Sequence, residues 1–274
     1  MHKTNLPFRL LVEKKQSGSR NMAVDEALLL SMKNPCPPIL RLYGFKPTCL
    51  SIGRFQNRED IKNNALLKKH NILLVRRPTG GKAVLHINEI TYSIILSQNH
   101  IQPFTKRTAY RFSANLLIKL ISSLGVHGNI YRNHTSRLDH ADLQPQYSNS
   151  LDGNCYKHIS EYEILGKKKL KLVGSAQTTT RFATLQHGSI PLSDKYGKID
   201  SFLSAETPPS RIEIVSVESE TGTLYTFRSA QKILYNTAIH ELGMKISKLT
   251  EEEQLLAEKL EQTKYNQANW TSIK

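Results

Sequence analysis

The sequence predicts a mixed α/β fold, of the α+β kind, in which helices flank a largely antiparallel or mixed sheet. Apolar runs of strand length occur along most of the chain with helical patterns interspersed among them, and not in a doubly wound alternation. A pair of helical segments ends the chain, and no internal repeat is present. With 274 residues, 39% of them hydrophobic, the chain can bury one sizeable core.

The first half of the chain contains most of the predicted strands. Residues 21–33 carry apolar side chains at helical spacing, with Asn21 as the N-cap, and the Cys-Pro-Pro sequence that follows stops this helix. Residues 112–124 form the clearest helical pattern, and Gly125 follows as its C-cap. The other elements predicted here are a helix over 60–69 and strands over 8–13, 39–43, 49–52, 73–75 and 90–96.

The second half begins with a polar stretch over 133–153, which predicts a long loop, and long loops in compact domains tend to be functional. The tail is helical over 229–242, and a second helix begins at Thr250, which forms a capping box with Glu253. Strands between the loop and the tail are predicted over 162–165, 169–177 and 184–190.

The composition is that of an ordinary globular protein with a strong positive charge. The formal net charge is +15, which attracts acidic partners such as nucleic acids or acidic carrier proteins. No apolar run approaches the roughly 20 residues of a membrane span, and residues 1–17 lack a secretory pattern. Cys36, Cys49 and Cys155 fit neither a disulfide framework nor zinc-ligand spacing. We therefore expect a cytoplasmic protein without a metal site.

A glycine pair after a predicted strand is the first candidate for chemistry. Gly80 and Gly81 allow a ligand to approach the backbone closely, and Arg76, Arg77 and Lys82 beside them suit an anionic phosphate or carboxylate. The Thr-Gly-Gly sequence is also an ordinary turn, so this stretch alone does not decide between the two readings.

Cys155 is the second candidate, because it ends the polar loop and its neighbours are polar, as expected for an accessible thiol. Cys36 and Cys49 lie beside prolines and apolar residues and fit small buried hydrophobic side chains. The pKa of a free thiol is about 8.5, and nearby cations lower it.

Lys171 is the third candidate. Strand alternation places it in the middle of a predicted strand, on one face with Val173, Ser175 and Gln177. It is either an edge-strand lysine that blocks aggregation or a cation placed where charge develops in a reaction.

These stretches, in this order, resemble the lipoate/octanoate protein ligase–transferase family, which has the biotin/lipoate A/B protein ligase fold. The similarity covers roughly residue 8 to the C-terminus. It implies one catalytic domain over 8–218 and a C-terminal helical extension over 219–274 that packs on the same domain. The matching motifs lie at 21–28, 40–45, 51–56, 76–86, 171–177 and 186–190.

The branch most similar is that of the cysteine-dependent octanoyl-[acyl-carrier-protein]:protein N-octanoyltransferases. Lys82 stands where ATP-dependent ligases usually carry a third glycine, and Ile87 stands where they carry Asp. The Leu-His-x-x-Glu-Ile-Thr-Tyr-Ser sequence at 85–93 resembles the transferase motif. The sequence departs from this branch at 157–159, after the cysteine, and Arg54 is as similar to the ligases as to the transferases.

This resemblance implies an acyltransferase that moves an octanoyl group from octanoyl-acyl carrier protein, through a thioester on Cys155, to a lysine of a lipoyl domain. The glycine-cleavage H protein and dehydrogenase E2 subunits are the expected acceptors. Cys155 and Lys171 are the implied catalytic residues, and no cofactor, nucleic acid or membrane is implied. The residues predicted to bind substrate are Arg76, Arg77, Thr79, Gly80, Gly81, Lys82, His86, Gly174, Ser175 and Ala176, and those predicted to line an acyl slot are Leu74, Val84 and Val173.

The sequence is also compatible with four other hypotheses about the function. An ATP-dependent lipoate ligase would form lipoyl-AMP and need ATP and Mg²⁺. An amidotransferase would use the same cysteine to move octanoyl between two lipoyl domains. A basic nucleic-acid-binding protein would show salt-dependent binding and no acyl adduct. A degenerate relative would bind carrier proteins without turnover, in keeping with the departures after Cys155.

Overall fold

A computed structural model describes residues 6–32, 36–132, 161–167, 169–203 and 215–272. Cys155 and the predicted loop over 133–153 lie outside the described residues. Within the described ranges, no helix is both long enough and apolar enough to cross a membrane.

A six-stranded mixed sheet forms the centre of the molecule. Its strand order is β11-β1-β2-β6-β10-β9. β11 and β2 both pair parallel to β1, whereas β2–β6, β6–β10 and β10–β9 are antiparallel. The strands are β1 (Arg9–Gln16), β2 (Ile39–Phe45), β6 (Glu89–Ser97), β9 (Gly174–Thr179), β10 (Ala183–Pro191) and β11 (Lys245–Ile246).

A second, three-stranded sheet has the order β4-β3-β5, with β3 parallel to β4 and antiparallel to β5. A short antiparallel pair, β7–β8, lies outside both sheets. These strands are β3 (Cys49–Ile52), β4 (Leu73–Arg76), β5 (Val84–His86), β7 (Asn129–Ile130) and β8 (Ile164–Leu165). The predicted mixed α/β class is confirmed by this arrangement.

The longer helices pack against both faces of the central sheet and bury apolar stripes there, as amphipathic helices do. Short 3₁₀ segments occur at Arg58–Asp60 and Asp194–Ile199, and single π-turns at Thr237–Glu241 and Glu261–Tyr265 extend two of the helices. The helices are α1 (Gly18–Ser31), α2 (Asn64–Lys69), α3 (Lys106–Ser122), α4 (Asp200–Leu203), α5 (Val217–Thr221), α6 (Phe227–Asn236), α7 (Glu251–Leu260) and α8 (Ala268–Thr271).

The C-terminal helices lie on the N-terminal part of the chain. The capping box predicted at Thr250 and Glu253 is present at the start of α7. Glu253 also binds Arg9 of β1, with 2.6 Å between Oε1 and Nη1, and Lys264 binds Glu26 of α1 at 2.7 Å. These contacts hold the last helices close to α1, and the domain boundary at 218/219 stays a prediction.

Several of the predicted elements have other bounds. Helix α2 begins at Asn64 instead of residue 60, α3 begins at Lys106 instead of residue 112, and β8 covers only Ile164–Leu165 of the strand predicted over 162–165. Helix α1 starts three residues before Asn21, because the Ser17 side chain accepts a hydrogen bond from the backbone N–H of Arg20 and is the true N-cap. The strand predicted over 169–177 begins only at Gly174. Lys169 has a positive φ of 56°, which interrupts extended structure, and Lys171 makes only an isolated bridge to Leu165.

Candidate active site

A small, mostly apolar pocket lies where the central sheet meets the three-stranded sheet. Its walls come from the N-terminal part of α1 and from strands β2, β3, β5, β6, β9 and β10, so it needs the whole fold to form. The lining residues are Met22, Tyr43, Ser51, Arg77, Val84, His86, Thr91, Gly174, Ser175, Ala176, His187, Gly188 and Ser189.

One wall contains a buried chain of hydrogen bonds from Asp25 through His187 to Thr79. Asp25 Oδ2 lies 2.8 Å from His187 Nδ1, and His187 Nε2 lies 2.6 Å from Thr79 Oγ1. Because a carboxylate only accepts, Nδ1 carries the imidazole proton and Nε2 accepts from the Thr79 hydroxyl. All three side chains are at most 5% exposed.

The charges around this chain fix its protonation. Burial works against ionisation of the Asp25 carboxyl, but the Arg41 guanidinium and hydrogen bonds from His187 and Tyr43 outweigh it and hold the carboxyl's pKa below its ordinary value. Burial lowers the pKa of His187 despite the carboxylate beside it, and the nearby Arg77 charge lowers it further. His187 is therefore neutral at neutral pH, and Asp25 is ionised.

A second chain runs along the opposite wall, from Glu89 through His86 to Ser51. His86 Nδ1 lies 2.7 Å from Glu89 Oε1, and His86 Nε2 lies 2.8 Å from Ser51 Oγ. The hydroxyls of Thr91 and Ser189 also donate to the Glu89 carboxylate. This carboxylate is buried, so its hydrogen bonds replace the water it has lost.

Arg77 joins the two chains. Its Nε donates to Thr79 Oγ1 at 3.2 Å, and its Nη1 donates to both the carbonyl and the hydroxyl of Ser51. Its Nη2 donates to the carbonyls of Gly80 and Lys82, at 2.8 and 2.7 Å. These contacts engage all three nitrogens of the guanidinium. We assign Arg77 to shaping the Gly-Gly turn, because its donors are directed at the protein's own acceptors.

The turn itself requires glycine. Gly81 has a φ of +86°, a left-handed conformation that L side chains rarely adopt. A Cβ on Gly53 would lie 1.9 Å from the Gly81 carbonyl oxygen, so the backbones of the two residues are in direct contact.

A second, open and polar groove shares Ser175 and Ala176 with the apolar pocket. Lys171 is buried in its wall, and its Nζ lies 2.6 Å from Glu163 Oε1. The small apolar pocket thus adjoins an open groove that contains a buried ammonium group. The groove is lined by Gly80, Gly81, Lys82, Lys106, Tyr110, Glu163, Lys171, Ser175, Ala176 and Gln177.

The structure brings together most of the residues predicted for the site. Arg77, His86 and Gly174 line the pocket, and Lys82 and Lys171 line the groove. Thr79 accepts a hydrogen bond from Arg77. Cys155 lies outside the described residues, so its distance from Lys171 stays a prediction. Gly80, Gly81, Ser175 and Ala176 also line one or both compartments.

Three of the predicted contacts are not found in the part of the chain that the structure describes. Arg76 lines neither compartment, because its guanidinium donates to five backbone carbonyls and braces the chain. Of the residues predicted to form the acyl slot, Val84 lines the pocket, whereas Leu74 and Val173 pack into separate hydrophobic clusters. The carbonyls bound by Arg76 are those of Gly53, Arg54, Gln56, Trp270 and Thr271.

No functional role was predicted from the sequence for Asp25, Ser51, Glu89 or Glu163. Asp25 stands among the apolar positions of α1, where a carboxylate is unusual, and this was a usable signal. The ion pair between Glu163 and Lys171 arises only through the fold, and spacing along the chain does not predict it. Among the described residues, no group of three or more His, Cys, Asp or Glu side chains is arranged to hold a metal ion.

Residues 17–240 match the model of the lipoyl protein ligase A/B catalytic domain. The octanoyltransferase LipM of Bacillus subtilis (strain 168) is 32% identical over 276 residues, which cover 96% of this chain and 97% of the relative. The octanoyltransferase LipM of Kyrpidia tusciae is 40% identical over 187 residues, 68% of this chain and 66% of the relative.

Solved structures show the same fold. Lipoate-protein ligase A bound with ATP superimposes with a TM-score of 0.74 at 21% identity, over 97% of this chain and 99% of that chain. A putative lipoate protein ligase from T. acidophilum gives a TM-score of 0.72 at 22% identity with the same coverage. The relatives' names confirm the predicted enzyme class, an acyltransferase. The chain belongs to the lipoyl protein ligase A/B catalytic domain family.

Proposed function

We propose that this enzyme transfers an octanoyl group from octanoyl-acyl carrier protein to a lysine of a lipoyl domain, through a thioester on Cys155. The observation that carries the proposal is the adjacency of the apolar pocket and the Lys171 groove, which share Ser175 and Ala176. The full-length relatives named octanoyltransferases support the same reading.

In the first step, the Cys155 thiolate attacks the carbonyl carbon of the donor thioester. The new carbon–sulfur bond forms, the bond to the carrier's sulfur breaks, and the carrier leaves as a thiol after taking up a proton. Charge builds up on the carbonyl oxygen during this step. The Lys171 ammonium, oriented by Glu163, is the group we assign to stabilising that oxyanion.

In the second step, the neutral amine of the acceptor lysine attacks the enzyme thioester. An amide forms, the Cys155 sulfur leaves as a thiolate, and the amine releases one proton to water, which balances the proton that the carrier's sulfur took up in the first step. This route needs neither ATP nor Mg²⁺, because the donor is already a thioester and each step exchanges one acyl linkage for another.

Mass spectrometry of the enzyme after incubation with octanoyl-acyl carrier protein tests the proposal. We expect one octanoyl adduct on Cys155, removed when an unlipoylated lipoyl domain is added. Cys155→Ala should abolish both adduct and product. Product formed by Cys155→Ala from free octanoate or lipoate with ATP and Mg²⁺ would show a ligase instead. Transfer only from an octanoylated lipoyl domain would show an amidotransferase.

A further inference from the structure

The turn over residues 53–56 presents the most exposed large apolar side chain among the described residues. Phe55 is 84% exposed, and the Arg54 guanidinium lies 5.5 Å from the centre of its ring. Single exposed apolar residues are common on protein surfaces, so exposure alone assigns no role to this pair. The rigid backbone of this turn and its position next to the groove distinguish Phe55 from the other exposed apolar residues.

The backbone of this turn is held rigidly. Arg76 is fully buried, and its Nη1 donates to the carbonyls of Gly53, Arg54 and Gln56 at 2.7 to 3.0 Å. The remaining donors of the same guanidinium bind two carbonyls of α8, at 3.0 Å each. Trp270 of α8 in turn donates its indole N–H to the carbonyl of Arg76 at 2.9 Å. The C-terminal helix therefore braces the turn that carries Phe55.

A rigid backbone under an exposed aromatic residue favours binding, because the turn loses little conformational freedom when a partner covers it. Burial of the Arg76 charge costs free energy. The hydrogen bonds of this buried arginine fix the backbone of an exposed turn, which would gain nothing from such rigidity if it only faced water. The rigid backbone therefore indicates that a partner binds this exposed turn.

The turn also lies next to the groove that contains Lys171. The backbone N–H of Arg54 donates to the carbonyl of Thr79 at 2.8 Å, and Gly53 lies against Gly81. Gly81 lines the groove that contains Lys171. Gly53 therefore contacts the wall of the groove, and Arg54 and Phe55 follow it at the edge of the groove, which we call the lip. Lys82 and Lys106 line the same groove. This lip is positively charged and suits an acidic partner.

We infer that Arg54 and Phe55 form the docking contact for the acidic acceptor domain, which rests on the proposed function and extends it to the protein partner. An acceptor lysine has only a four-carbon stem, so the acceptor domain must reach the lip itself for its amine to enter the groove. The pantetheine arm of a donor carrier is far longer and lets the donor protein stay farther away. The short reach of lysine therefore assigns the lip to the acceptor.

The chain offers a matched control. Phe182 is 51% exposed, and the Arg181 guanidinium lies 5.3 Å from its ring, so the pair repeats the chemistry of Arg54 and Phe55. It lies in the turn between β9 and β10, at the end of β9 opposite Gly174 and Ser175. An arginine–phenylalanine pair away from the groove lip should not affect the acceptor.

Binding is measured by calorimetry with a dehydrogenase E2 lipoyl domain whose target lysine is replaced by alanine, so that no turnover occurs. Phe55→Ala should raise the Kd about tenfold, as expected for loss of an aromatic anchor. Phe182→Ala should leave the Kd unchanged. Equal Kd values for wild type and Phe55→Ala, equal losses in both variants, or no binding by the wild type would overturn the inference.

The two half-reactions separate acceptor from donor. Phe55→Ala should form the octanoyl adduct from octanoyl-acyl carrier protein at the wild-type rate. Its KM for the lipoyl domain should rise about tenfold, with kcat unchanged at saturating domain. Slower adduct formation with unchanged acceptor KM would assign the lip to the donor and overturn the inference. A wild-type enzyme that forms no adduct would defeat the proposed function, while the calorimetric comparison would still decide the docking contact.

Discussion

The pocket and the groove share a wall but use their polar groups in opposite ways. Around the pocket, polar side chains bind one another, so that two histidines, two carboxylates and Arg77 form a connected set of hydrogen bonds. Around the groove, Lys82 and Lys106 line an open surface, whereas Lys171 is buried and pairs with the Glu163 carboxylate.

The comparison separates two kinds of function. A polar group that is fully paired inside the protein fixes shape, because breaking its contacts leaves a buried donor or acceptor unsatisfied. A cation on an open surface costs little to keep and remains able to meet a charged partner. We therefore expect changes around the pocket to reduce stability and changes in the open groove to reduce recognition. Lys171 is buried and paired like the polar residues around the pocket, but it lines the groove. Its variants should therefore change both stability and catalysis.

Lys171→Met should lower the rate of octanoyl transfer about 100- to 1000-fold, because the oxyanion loses its stabilising ammonium. It should also cost about 3 to 5 kcal/mol of folding free energy, because the Glu163 carboxylate is left buried without its partner. Single-turnover kinetics and urea denaturation measure the two effects. The double variant Lys171→Met/Glu163→Leu should regain stability and stay inactive. Recovery of activity in the double variant would contradict the catalytic role of the ammonium.

Asp25→Asn should lower the free energy of unfolding by about 3 to 5 kcal/mol at pH 7, because Arg41 loses a buried ionic partner 2.7 Å away. The pKa of Asp25 is lowered in the folded protein, so its stabilisation is complete above the unfolded pKa of about 3.9 and is lost as the pH falls below it. The difference between wild type and variant should therefore shrink below about pH 4.

The neighbouring residue provides the control for that experiment. Glu26 binds Lys264 near the surface, and Glu26→Gln should cost no more than about 1 kcal/mol. Denaturant titrations of the three proteins between pH 7 and pH 3 give the comparison. A stability difference for Asp25→Asn that stays constant across this range would show that the carboxylate charge is not what stabilises the pocket wall.

Gly53→Ala should destabilise the protein by about 1 to 3 kcal/mol, because the new methyl group would overlap the Gly81 carbonyl and force the two turns apart. Gly80→Ala is the matched change in the same region, since a Cβ there meets nothing within 4 Å, and its stability should stay within about 0.5 kcal/mol of wild type. Thermal unfolding separates them. Equal losses in both variants would mean that the turns are not in rigid contact.

Lys82→Ala should have the smallest effect. The side chain is half-buried in the wall of the open groove, so we expect stability within about 0.5 kcal/mol of wild type. The KM for the acceptor lipoyl domain should rise a few-fold at low salt, and the difference should fade as ionic strength increases. Initial rates at several salt concentrations measure this. A loss of stability without a change in KM would place Lys82 with the pocket residues instead.

Much of the fold could be predicted because its signals are local. The apolar run at Cys49–Ile52 and the capping box at Thr250 are patterns among near neighbours, and the structure has both where they were expected. The strand predicted around Lys171 was wrong at its start, because alternation continued through Lys169 while the backbone there turned to a positive φ. Alternation describes side chains and does not reveal such a backbone break.

The sequence by itself determined the family, the α/β class and the stretches that supply the site, because periodicity, turn residues and motif order are properties of the chain alone. Only the tertiary structure decided which of those residues meet a ligand and which hold the fold. Asp25 and His187 are separated by 162 positions, and their pairing arises because packing α1 against β10 removes both side chains from water. Burial leaves such groups to pair with other groups of the protein, and burial is a property of the assembled layers.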